Sequence, residues 1–147
     1  MRGTVSWAVS IVMLVVLGGA CASGRETPEG VDKTIVVSMR DSHFEPDSID
    51  IDVGDTVEFH FANDGATRHD AFIGDEKAQA EHEREMRAAD DAEHGGGHAE
   101  NEPGALTLEP DERGMLTHTF DKAGTYEIGC HEPGHYAAGM KLTIDVR

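Results

Sequence analysis

Apolar and polar side chains alternate along much of the chain between residues 34 and 146. Residues 48–53 read Ser-Ile-Asp-Ile-Asp-Val, and residues 56–61 read Thr-Val-Glu-Phe-His-Phe. A period of two puts every second side chain on one face of an extended strand, so each segment buries one face and wets the other. For 56–61 this predicts Val57, Phe59 and Phe61 inward, with Glu58 and His60 toward water. Residues 34–39 form a short β-branched run, 70–73, 105–108 and 114–120 are further strand candidates, and 124–129 leads up to the loop beyond. Residues 140–146 alternate again and close the series. Gly54-Asp55, Asn63-Asp64-Gly65 and Lys122-Ala123-Gly124 punctuate these runs as turns. Seven to eight short strands with regular turns predict an all-β fold, a Greek-key sandwich, with no internal repeat.

The alternation fails over residues 75–104, an acid-rich insertion. Residues 78–92 hold strong helix formers without Gly or Pro, and Gly95-Gly96-Gly97 follows soon after. The apolar stripe is thin, which predicts a marginal surface helix. An excursion of about 30 residues exceeds ordinary connection lengths, so the segment is either functional or partly disordered.

The chain has 147 residues, enough for one domain and a leader. Arg2 is the only charge before an apolar run from Trp7 to Leu17, which Gly18-Gly19-Ala20-Cys21 follows. That run falls short of the ~20 apolar residues of a membrane span. Residues 1–20 are therefore expected to be an export signal. Small residues ahead of Cys21 resemble a bacterial lipoprotein processing site, which implies a lipid on Cys21; simple secretion or a retained anchor is the alternative. Residues 21–33 are expected to be a linker, and 34–147 the domain.

The formal net charge is −17. Such a surface repels nucleic acid and favours cations or basic partners. With two cysteines in the chain, a Cys21–Cys130 disulfide is conceivable in an oxidising compartment. It would tether the leader to the middle of a loop and consume the one thiol with suggestive neighbours.

Those neighbours carry the chemistry. Cys130, His135 and Met140 recur at every fifth position, with Pro133-Gly134 inside the first gap. A thiolate and a thioether favour Cu(I), while imidazole accommodates both copper oxidation states. A second histidine is needed from elsewhere, and His69 is the best candidate; His60 and His43 are rivals. Two histidines and a cysteine with a weak axial methionine make an electron-transfer copper site.

The loop from Cys130 to Met140 resembles the ligand loop of the cupredoxins, the plastocyanin and azurin type of small blue-copper protein. His43-Phe44-Glu45-Pro46, Val53 to Val57, Asn63 to His69 and Gly124-Thr125-Tyr126 fall in the order expected of that family. The resemblance implies one copper ion held by His69, Cys130, His135 and Met140. His135 would be the partly exposed route for electrons, beside Tyr136, Ala137 and Ala138. It implies too that His43 belongs to a structural turn. In the family the residue after the first histidine bridges the two ligand loops, commonly as asparagine; here it is Asp70.

Four protein ligands leave no open coordination place for a substrate, so an enzyme is not expected. The expected function is electron transfer by an exported type 1 copper protein. It would sit in the periplasm or on the cell surface, anchored to the membrane by lipid and meeting redox proteins. The alternative is copper binding for tolerance, with copper-handling partners. Cupredoxins associated with periplasmic copper tolerance look similar in bearing a His- and Met-containing insertion. On that reading His82, Met86, His94 and His98 form an auxiliary metal site.

Overall fold

The computed structural model describes residues 30–91 and 103–147. The leader with Cys21, most of the linker, and His94 and His98 lie outside the described residues. Alternating segments resolve into two sheets. One has the order β2-β1-β4-β7, from β1 (Lys33–Arg40), β2 (His43–Glu45), β4 (Thr56–Asn63) and β7 (Arg113–Thr119). The other has the order β3-β9-β8-β5-β6, from β3 (Ser48–Ile51), β5 (His69–Gly74), β6 (Ala105–Leu108), β8 (Gly124–Gly129) and β9 (Lys141–Val146). Strand β1 runs parallel to β4 and β3 parallel to β9, while the remaining pairs are antiparallel. This is an all-β sandwich with one helical insertion, as the alternation indicates.

Facing side chains from the two sheets make the core. Val37, Met39, Val57, Phe59 and Phe61 come from the first sheet, and Ile128, Leu142, Ile144 and Val146 from the second. Each such burial stabilises by about 1.5–3 kcal/mol relative to exposure. As the period of two requires, Glu58 and His60 stay on the other face of β4 and pair with each other. Nine strands are described rather than seven or eight. The additional one is β2: the segment expected as a turn around His43 instead adds three residues antiparallel to β1.

Helix α1 (Glu76–Asp91) starts two residues before its expected position and packs on β5 and β8. Asp75 Oδ1 accepts the N–H of Ala78 at 2.8 Å, an N-cap that satisfies one unpaired donor of the first turn. Gln79, His82 and Met86 are all buried, at the 3–4 residue spacing of one helix face. The helix therefore has an inner face against the sheet. Two of its three buried positions are polar, which is why the apolar stripe looks thin.

Candidate metal centre

Strand order brings the candidate ligands together. In the second sheet β8 lies between β5 and β9. His69 opens β5, Cys130 follows the last residue of β8, and Met140 precedes the first residue of β9. Because β8 is antiparallel to both neighbours, these three positions fall at one end of the sandwich. The backbone N–H of Cys130 donates to the carbonyl of Met140 at 3.1 Å, extending the β8–β9 ladder by one rung.

The segment between them folds back over that end. The N–H of His135 donates to the carbonyl of Glu132 at 2.9 Å, closing a four-residue turn around Pro133-Gly134. Proline presets φ at the first central position, and Gly134 supplies the left-handed φ of 85° at the second. Met140 N–H then donates to the carbonyl of His135 at 3.0 Å, which returns the chain to β9.

Three donor atoms converge as a result. Cys130 Sγ lies 3.4 Å from Nδ1 of His135 and 3.8 Å from Nδ1 of His69. One donor atom from each of the three lies within 4.8 Å of the others. His69 and Cys130 are fully buried, and so is the Met140 side chain; His135 is half-buried, beside exposed Ala137 and Ala138. Neither rival histidine joins the cluster: His60 is occupied by Glu58, and His43 is exposed on β2.

Burial dominates the electrostatics of Cys130 and His69. Burial pushes the Cys130 thiol well above its ordinary value, and the charge of Asp70 adds to this. Burial also pushes His69 down from its ordinary value, helped by His135, although Asp41 pulls the other way. Neutral imidazoles suit metal binding, and a coordinated thiol is deprotonated outright by the ion it binds. One sulfur and two imidazole nitrogens within reach of a single ion fit copper.

Surrounding groups tie the two segments that carry the candidate ligands together. Asp70, the residue after His69, is fully buried, and its Oδ1 accepts the backbone N–H of His131. It thus makes the loop-to-loop bridge for which the family commonly uses asparagine, accepting as an amide oxygen would. At the rim, Arg68 forms a two-pronged ion pair with Glu132, at 2.7 and 3.2 Å. Sequence patterning does not reveal this pair, since nothing in it links residues 64 positions apart.

His131 was also missed, although it adjoins Cys130. Its ring is buried, with Nδ1 2.6 Å from Glu83 Oε2 and Nε2 2.7 Å from Gln79 Oε1. Of the expected auxiliary ligands, His82 and Met86 fall among the described residues. His82 is stacked on Phe72, with ring centroids 4.0 Å apart, and Met86 is buried on the same inner face.

The sequence profile described as copper binding proteins, plastocyanin/azurin family, matches residues 31–147. The copper-resistant cuproprotein CopI of Rubrivivax gelatinosus is 34% identical over 137 residues, covering 88% of this chain and 79% of that protein. The protein of the same name from Pseudomonas aeruginosa is 30% identical over 170 residues, covering 92% and 94% respectively. Among solved structures, reduced auracyanin from the photosynthetic bacterium Roseiflexus castenholzii superposes with a TM-score of 0.65 at 26% identity. That match covers 80% of this chain and 99% of the auracyanin.

Proposed function

Because this chain belongs to the plastocyanin/azurin family of copper binding proteins, with copper as its cofactor, we propose that it is an exported type 1 copper protein serving copper resistance. The observation that carries this reading is the convergence of Cys130 Sγ with Nδ1 of His69 and of His135. Met140 is the fourth ligand in the proposal, supported by its burial and by the backbone bond that fixes it beside Cys130. Bound there, copper would supply a one-electron couple between Cu(I) and Cu(II). The residues of the chain hold its donors in place, exclude water from the sulfur and leave one imidazole edge at the surface.

Resistance is favoured as the role because two relatives matched along most of this chain are copper-resistant cuproproteins. Electron transfer is the second reading. It draws on the half-buried His135 with exposed Ala137 and Ala138, an edge through which electrons could pass to a docked partner. Export through residues 1–20, with lipid on Cys21 as the anchor, is part of the same proposal.

Growth of the source cells in rising copper tests the role. A deletion strain should lose tolerance, and the wild-type gene should restore it where a Cys130→Ser gene does not. If the deletion leaves tolerance intact and instead slows a respiratory or photosynthetic electron flow, the second reading replaces the first.

A further inference from the structure

We propose that Gln79, Glu83 and His131 act as positioning residues through which helix α1 sets the metal-binding loop, so that copper occupancy and order in the helix are linked. The proposal rests on the reading of Cys130 as a copper ligand.

His131 is joined covalently to Cys130, and every side of it is held. Its backbone N–H is taken by Asp70 Oδ1. Its ring nitrogens meet Glu83 Oε2 and Gln79 Oε1, both side chains of α1. Tyr136, the residue after His135, stacks on one face with centroids 4.5 Å apart, and His82 approaches edge-on at 4.9 Å.

Gln79 cannot rotate away. Its amide nitrogen donates to the carbonyl of Phe72 on β5 at 3.0 Å and to that of Glu127 on β8 at 2.8 Å. This fixes the amide oxygen toward His131. The contact also explains Gly129: a Cβ there would lie 2.6 Å from Gln79 Oε1 and 2.8 Å from the Tyr136 ring. Glycine leaves the space in which the helix amide and the loop aromatic approach the end of β8.

A ligand loop would ordinarily be mobile, and only its anchors would limit how far the sulfur can drift. Here the helix supplies two of the anchors. If its contacts favour the copper-binding geometry, copper must favour the ordered helix by the same factor, since coupling between two equilibria is reciprocal.

The test uses the full chain with and without Cu(II), and two variants of one residue. Outer groups that orient a metal site change affinity by about 10–100-fold when lost. Glu83→Ala should therefore weaken copper about tenfold or more and alter the paramagnetic spectrum, while Glu83→Gln, which keeps an acceptor, restores most of both. Lys33→Ala, whose ion pairs lie with Asp52 and Asp55, should change neither. Hydrogen exchange in the wild-type chain should show α1 amides protected further when copper binds.

Equal exchange in α1 with and without copper overturns the proposal, as does a Glu83→Ala spectrum and affinity matching wild type. Should Glu83→Ala fail to fold, the wild-type exchange comparison decides alone. A wild-type chain that takes up copper but shows no coupling removes the relay only. One that takes up none removes the copper reading and the relay with it.

Discussion

Asp70 Oδ1 accepts the backbone N–H of His131, joining the strand that carries His69 to the loop that carries Cys130 and His135. Both groups are buried, so the bond has no water to replace it. A buried donor left without a partner costs about 1–3 kcal/mol. Asp70→Ala should lower the unfolding free energy of the metal-free protein by that amount. Asp70→Asn, which retains an oxygen acceptor, should lose less than half as much. Urea unfolding measures both, and equal losses in the two variants would rule out the bond as the cause.

The Arg68–Glu132 pair crosses the same gap at the surface, and its expected contribution is smaller. Arg68 is 35% exposed and Glu132 10% exposed in their side chains, so solvent screens the attraction. Partly exposed ion pairs are worth about 0.2–1 kcal/mol. A double-mutant cycle with Arg68→Ala and Glu132→Ala should return a coupling in that range, shrinking as salt is added. A coupling several times larger would mean the pair is shielded from water.

Glu83 and Glu127 give the metal-free protein a defined acid sensitivity. Burial raises both carboxyls, but hydrogen bonds and the attraction of nearby cationic groups together outweigh it and hold each below its ordinary value of 4.5. Those bonds come from His131 and Arg87 at Glu83, and from Lys141 and Tyr136 at Glu127. The folded carboxyls resist protons that the unfolded chain accepts. Their contribution is thus fully present above 4.5 and drains away as pH falls through the lower folded values. Unfolding measured from about pH 7 down to about pH 3 should show stability declining, with a shallower decline in a Glu83→Gln, Glu127→Gln double variant. Identical slopes in the two proteins would contradict this.

How far the sequence could be read depended on which force placed each residue. Strands β4 and β9 were legible because burial of one face imposes a period of two on their side chains. The spacing of Cys130, His135 and Met140 was legible because one short loop carries all three. Strand β2 was not, since three residues around a single buried Phe44 give no periodic signal. Helix α1 was visible, but its inner face was not. Gln79 and His82 take buried positions there through hydrogen bonding and ring stacking, which a hydrophobicity pattern does not register. Asp70 could be singled out by its place after His69. Its partner His131 could not, because the bridge depends on how two loops meet in space.

The most direct measurement is a titration of the metal-free chain with Cu(II), followed by optical and paramagnetic spectra. Wild-type protein should bind one ion at this centre and develop an intense thiolate-to-copper band in the visible range, with a narrow hyperfine splitting. Cys130→Ser should abolish the band, His69→Ala should alter it strongly, and His60→Ala should leave it unchanged. A wild-type chain that stays colourless with Cu(II), or a band that survives Cys130→Ser, would contradict the account.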